Sequence, residues 1–233
     1  MAQSPRAAQE NAAYFADNAE QYTAWLATID TYRLQGAAIT RELTGARRLV
    51  DIGNGGAFDY DPSVVDEIVA VDLFAPEQTL PQNVRFVQGS ALKLPLADES
   101  CDTVLIVMLL HHLVGDDRAA LEQNARRALA EAYRILEPGG RVVLVESCVP
   151  PWFLAVEPLL VRPLARLAAT RGHPPTFQLS AAVVTSLVVE TFGSCEAERM
   201  PMGRWIVQLG RRWPVALTPA RAWLFKASRS DGR

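Results

Sequence analysis

Arg48-Leu-Val-Asp-Ile-Gly-Asn-Gly-Gly56 decides the fold. A short, mostly apolar run enters a glycine cluster, which reads as a buried strand ending in a tight loop. The same grammar repeats downstream. Ile68 to Val71 ends in Asp72, Val84 to Val87 ends at Gln88-Gly89, and Thr103 to Met108 is apolar almost throughout. An amphipathic helix is expected from Asp116 to Leu136, stopped by Glu137-Pro-Gly-Gly140, and a fifth strand from Arg141 to Glu146 follows. Apolar strands separated by helices mean a parallel sheet covered on both faces. Ser180 to Phe192 reads as a helix with Ser180 as N-cap and Gly193 past its end, and Cys195–Met200 and Ala222–Ala227 as two last strands. The expected fold is a single α/β domain, Rossmann-like and doubly wound. Its seven-stranded sheet is mostly parallel, with an antiparallel last strand.

The flanks are less regular. Apolar residues recur at helical spacing from Asn11 to Leu43, with Gly36 expected to break the run and Gly45 to end it. Residues 1–10 are small and polar and are expected to be disordered. Pro150 to Pro175 carries six prolines, too broken for a strand, and reads as one or two short helices over the sheet edge.

Composition excludes several classes. With 233 residues, 49% hydrophobic and 21% charged, the chain can bury one large core. A net charge of −3 does not suggest a nucleic-acid partner. The three cysteines, Cys101, Cys148 and Cys195, form no CxxC pair and fit neither a zinc site nor a disulfide framework. No metal site is expected. The opening MAQSPRAAQENAAYF has no signal-type apolar core, and Val104 to Leu110 falls short of the roughly 18 residues of a membrane span. The expectation is a cytoplasmic protein with no membrane partner, monomeric or homodimeric.

The glycine loop fails two phosphate templates. It lacks the lysine of a Walker loop, and Phe58 stands where GxGxxG needs glycine. Asp72 follows Asp51 by 21 residues, the position of an acid that accepts both hydroxyls of a ribose. The loop therefore suits a nucleoside without a phosphate cradle.

Together, LVDIGNGG, VAVDLF, VRFVQGSALKLPLADESCDTVLIVMLLHHL and EAYRILEPGGRVVLVE resemble the class I S-adenosylmethionine-dependent methyltransferases. The nearest branch in character is the small-molecule one, of ubiquinone/menaquinone and natural-product type. The resemblance covers residues 48–147 in order. It implies S-adenosylmethionine as cofactor and S-adenosylhomocysteine as product. It also implies that Asp51, Gly53, Asn54 and Gly55 line the methionine and ribose, that Asp72 binds the ribose, and that Leu73 packs on the adenine. Ser90, Ala91 and Leu92 would border the adenine edge, with Val107 and Met108 near the sulfonium. It divides the chain into cap helices (11–45), a cofactor-binding core (46–149), a substrate-side insertion (150–180) and the C-terminal part of the sheet (181–230). Three residues depart from the pattern. Ala57 replaces a third glycine, Ser90 replaces an aspartate, and Phe58-Asp-Tyr-Asp-Pro62 implies a late, short first helix.

Methyl transfer needs a general base only where the acceptor must lose a proton. His111 and His112 are the candidates, His112 being expected to face the cavity; the alternative is that they only shape the pocket. Tyr14 and Tyr22 lie on helices that would close over the site, with Tyr22 assigned to the cofactor and Tyr14 to the substrate. Glu146 could bind an acceptor hydroxyl or amine, or stand as a rim carboxylate. Asp59 and Asp61 flank Tyr60 as turn formers or as holders of a cationic group or metal. His173 and Trp152 are placed on the substrate side, and the aromatic C-terminal third suggests an apolar or aromatic small-molecule substrate. The expected activity is methylation of oxygen, then carbon, then nitrogen, in natural-product biosynthesis. The rivals are a cyclisation on the same fold, a nicotinamide oxidoreductase, and a non-catalytic binding subunit.

Overall fold

The computed structural model describes residues 24–25, 27–76, 78–114, 117–156, 177–208 and 211–231. Helix α1 spans Asp30–Leu43 and strand β1 Arg48–Ile52, followed by β2 (Glu67–Asp72), β3 (Val84–Gln88) and β4 (Cys101–Val107). Helix α2 (Arg118–Ile135) leads into β5 (Leu136–Cys148), and α3 (Ala181–Phe192) into β6 (Glu196–Arg199). Strands β7 (Trp205–Gln208) and β8 (Arg211–Pro214) form a separate hairpin, and β9 (Arg221–Ser228) closes the fold.

The main sheet has seven strands in the order β3-β2-β1-β4-β5-β9-β6, with β9 antiparallel to both neighbours and the other pairs parallel. Its two faces are sorted by strand alternation. Leu49, Ile68, Leu105 and Val143 point to α1, where Ala38, Ile39 and Leu43 meet them. Val50, Val104, Val142 and Leu144 point to α2 and α3, against Leu121, Leu129, Val184 and Leu187. Residues buried on both faces explain why these strands lack polar alternation. Strand order reverses between β1 and β4, so a crevice opens at their C-terminal ends.

Local signals account for the helix ends. Asp117 Oδ1 accepts from Ala120 N (2.8 Å) at the start of α2, and Ser180 Oγ accepts from Val183 N (3.3 Å) at the start of α3. Gly193 ends α3 in the left-handed region, at φ +84°.

Four local expectations need correction. Gly36 does not break the N-terminal helix. It lies inside α1, where an added Cβ would collide with the Asp59 carbonyl oxygen, so its role is close approach. The helix before Glu137-Pro-Gly-Gly140 ends as expected, at Ile135, but the fifth strand begins at Leu136 and not at Arg141, so this stretch is part of β5, which shifts register between Cys101 and Thr103 on β4. The first βα crossover is a single 3₁₀ turn, Pro62–Val64, and no helix is described in the β2–β3 or β3–β4 connections. The β7–β8 hairpin has no counterpart in the sequence-based expectation. It docks on α1 through Asp30, whose carboxylate accepts from Arg204 N (2.7 Å) and Trp205 N (3.2 Å).

Residues 151–156 are helical, in keeping with short helices at the start of the proline-rich segment. No helix among the described residues is long and apolar enough to cross a membrane.

Candidate active site

The glycine loop leaves β1 at Ile52 and turns at Gly53, where φ is +83° and N–H donates to Val71 O (2.7 Å). A Cβ there would meet the Leu109 side chain at 2.8 Å, so glycine lets the loop after β1 approach the segment after β4. Asp51, 3% exposed, sits beneath the loop. Its Oδ2 accepts from Asn54 Nδ2 (2.5 Å) and Tyr60 OH (2.9 Å). Asn54 Oδ1 in turn accepts from Gly56 N (2.7 Å), which fixes the loop. Burial pushes the Asp51 carboxyl up to about 6, against the opposing effect of its two donors.

Asp72 ends β2 on the other side of exposed Gly55. A Cβ on that glycine would lie 3.9 Å from Asp72 Oδ2, an ordinary contact. Burial raises the Asp72 carboxyl above the usual carboxylate range, and Phe74 N donates to its Oδ1 (3.3 Å). Leu73 follows directly, with its carbonyl accepting from Gln88 Nε2 (2.8 Å). Ser90 Oγ accepts from Leu92 N (3.2 Å), so Ser90, Ala91 and Leu92 form a compact turn beyond β3.

Strand β4 ends in Val107, and Met108 takes a left-handed backbone, φ 50°. That conformation is costly for a non-glycine residue. Met108 N donates to Val145 O (2.8 Å), and the chain turns into the 3₁₀ segment Leu110–His112. This turn carries His111 over the end of β5. His111 Nδ1 lies 2.6 Å from Glu146 Oε1, and Glu146 Oε2 accepts from Leu110 N (2.8 Å) and His111 N (3.4 Å). Glu146 is 0% exposed, and its carboxylate is enclosed by this turn. The His112 ring stands 4.1 Å from the His111 ring, tilted by 42°.

Cys148, two positions beyond Glu146 on the same strand face, floors a cleft of about 480 Å³. Trp152, Trp223, Arg199 and Arg221 line it, with the Arg199 guanidinium 5.4 Å over the Trp223 ring. Trp152 is 62% exposed. Tyr14, Tyr22 and His173 lie outside the described residues.

The fold thus gathers Asp51, Gly53, Asn54, Gly55 and Asp72 on one side of the crevice, and Met108, His111 and His112 on the other. Two residues that the sequence places in a turn also belong to the site. Tyr60, 6% exposed, donates to Asp51, and Asp59 has a buried Oδ1 with no hydrogen-bond partner. The signal for them is the departure after Ala57, where acids and an aromatic residue replace the start of a helix. Among the described residues no group of three or more His, Cys, Asp or Glu could hold a metal.

These features define a Rossmann-like α/β fold, with a candidate ligand crevice at the reversal of strand order. Residues 50–144 match the family described as "Methyltransferase domain". The "Uncharacterized methyltransferase YcgJ" of Bacillus subtilis is 31% identical over 149 residues, 58% of this chain and 54% of that protein. The "Ubiquinone/menaquinone biosynthesis C-methyltransferase UbiE" of Stutzerimonas stutzeri is 31% identical over 129 residues, covering 48% and 47%. The chain therefore spans about half the length of these curated relatives. Among solved structures, a Burkholderia thailandensis 1,6-didemethyltoxoflavin-N1-methyltransferase superposes with a TM-score of 0.63. That pair is 16% identical and covers 99% of this chain and 92% of the other. At that identity the likeness is one of fold. Residues 50–144 thus resemble a methyltransferase domain, and the chain shares its fold with a solved methyltransferase.

The residues present fit S-adenosylmethionine. Exposed Gly55 leaves the approach to Asp72 open for ribose hydroxyls, and the carboxylates of Asp51 and Asp59 suit the charged end of a methionyl chain.

Proposed function

We propose that the protein methylates a small phenolic or otherwise acidic hydroxyl-bearing molecule with S-adenosylmethionine, on oxygen first and carbon second. The observation that carries this reading is the His111–Glu146 pair at the mouth of the crevice. A carboxylate can only accept, so Nδ1 of His111 holds its proton toward Glu146 and Nε2 keeps a lone pair. Buried acceptor bonds to Leu110 N and His111 N hold the carboxylate still.

S-adenosylmethionine, when bound, supplies an electrophilic methyl group on a sulfonium. Asp72 would bind the ribose, and the Gly53–Gly55 backbone would admit the ligand closely. His111 Nε2 takes the acceptor's hydroxyl proton. The phenolate would take the methyl group at oxygen or at the ortho ring carbon, with the methyl–sulfur bond of the cofactor breaking. A ring carbon so methylated then loses its own proton to restore aromaticity.

The cleft lined by Trp152 and Trp223 supports an apolar or aromatic acceptor. The relative from Stutzerimonas, named for C-methylation in ubiquinone and menaquinone biosynthesis, and the Burkholderia neighbour, solved with 1,6-didemethyltoxoflavin, both support a small-molecule acceptor. A place in natural-product biosynthesis is part of the same proposal. The test is calorimetry with S-adenosylmethionine, followed by a panel of phenols, hydroquinones and amines scored by S-adenosylhomocysteine release. Hydroxyl-bearing acceptors should turn over and amines should not. Binding without turnover of any acceptor would favour a non-catalytic subunit.

A further inference from the structure

We propose that Asp59, together with Asp51, seats the α-ammonium group of the cofactor's methionyl chain. The proposal rests on the reading of the crevice as an S-adenosylmethionine site. It assigns a residue that the family's glycine loop does not supply.

The placement follows from the short crossover after β1. Residues 53–66 hold only a 3₁₀ turn where a helix would otherwise start. The chain instead folds back beneath the glycine loop, and α1 holds it there. Gly36 admits the Asp59 backbone where any side chain would collide, and Thr40 Oγ1 accepts from Asp61 N (3.0 Å). Asp59 keeps part of its surface open, but its Oδ1 is buried and has no hydrogen-bond partner.

The groups facing it are acidic or phenolic. They are Asp51 and Tyr60 from the loop and Tyr32 from α1, with Asp72 acting on Asp51 from β2. Both recorded bonds to Asp51 fall on its Oδ2. Among the described residues no ion pair reaches either carboxylate. Two adjacent buried carboxyls without a cation are unfavourable unless one holds a proton or a cation is taken up. In the ligand-free protein the first solution applies: burial and the neighbouring Asp51 push Asp59 up to about 7.

The second solution selects the ligand chemistry. A divalent metal needs several protein ligands, and among the described residues no group of three or more His, Cys, Asp or Glu stands here to supply them. An ammonium has three donors and no acceptor, matching carboxylate oxygens that only accept. The methionyl end of the cofactor carries such a group, and the reading of the crevice as its site puts that end beside Asp51.

The experiment is calorimetry on the full chain with three probes. S-adenosylmethionine and S-adenosylhomocysteine share the α-ammonium and differ in the sulfonium; 5′-methylthioadenosine lacks the amino acid portion. Asp59→Asn should weaken the first two alike, by about tenfold or more, while changing the third less than about twofold. Unimpaired binding of 5′-methylthioadenosine also shows that the variant is folded. Proton release near pH 6.5, read from buffers of differing ionisation enthalpy, should fall in the variant. The proposal is overturned if the first two ligands bind unchanged, if all three weaken equally, or if S-adenosylmethionine alone weakens, which would place the carboxylate at the sulfonium. If the wild type binds none of the three, the cofactor reading itself fails, and this assignment with it.

Discussion

The His111 ring nitrogen Nδ1 lies 2.6 Å from Oε1 of Glu146, across the gap between the end of β5 and the turn that follows β4. Glu146 is fully buried, and its other oxygen holds two backbone N–H groups of the same turn. The carboxylate therefore fixes both where the histidine stands and which nitrogen remains available. Sequence alone favours His112 as the group facing the cavity. The proposed mechanism instead takes His111 as the base, because of its pairing with Glu146, and takes Glu146 as its positioning residue.

Glu146→Gln should lower kcat by roughly 100-fold, in the range expected for losing a positioned general base. An amide can donate, so it no longer forces the Nδ1–H tautomer. KM and cofactor affinity should change by less than about threefold. His111→Ala should cost a similar factor, and the double variant little more than either, because the pair acts as a unit. Steady-state kinetics with the best acceptor from the panel checks this. Additive losses would argue that the two residues act separately.

Asp72→Ala should weaken S-adenosylmethionine and S-adenosylhomocysteine by about tenfold or more, or ~1.4 kcal/mol. The loss should extend to 5′-methylthioadenosine, which keeps the ribose. That pattern separates Asp72 from Asp59, whose effect should be confined to ligands with the amino acid portion.

Asp51 and Asp59 make ligand-free stability depend on pH in a definite direction. Their carboxyls stand at about 6 and about 7 in the folded protein, against 3.8 ordinarily. The folded state then holds protons that the unfolded chain has released, so stability falls as pH rises from near 4 through 7. Asp59→Asn removes one of these groups. The variant should match wild type at pH 4 and exceed it above pH 7, by on the order of 2 kcal/mol, or roughly 5 °C in melting temperature. Thermal melts across this range, without ligand, decide it; an unchanged difference between acid and neutral pH would count against the burial argument.

Gly53→Ala combines a left-handed backbone with a close contact to Leu109. It should destabilise the fold by about 1–3 kcal/mol and weaken S-adenosylmethionine at the same time, since the loop must move away from the crevice. Urea titration and calorimetry on one preparation read both effects. Gly45→Ala shares the positive φ but meets nothing within 4 Å, so it should cost stability while sparing ligand binding.

Some of the fold is legible in the sequence because its signals are local. Mostly apolar runs mark β1, β2, β4 and β5, and Ser180 and Gly193 mark the ends of α3 through capping chemistry that acts within a few residues. The Pro-Gly-Gly stretch marks the end of α2 correctly, but the early start of β5 depends on pairing with Cys101 and Thr103 on a distant strand, which the stretch itself does not record. Gly36 misleads for a similar reason. Its partner, the Asp59 carbonyl, is 23 positions away in the chain, and no periodicity records such a contact.

The glycine loop, the acid that follows it at ribose spacing, and the apolar strands were determined by the sequence itself, because backbone freedom, strand burial and motif spacing are properties of short segments. The division of labour among the polar groups was decided only in three dimensions. Which histidine pairs with Glu146, why Glu146 faces inward, and how Asp59 comes to stand beneath the loop with Asp51 all depend on two distant elements meeting in a buried place. There a carboxylate's partners, and not its position in the chain, settle its protonation and its role.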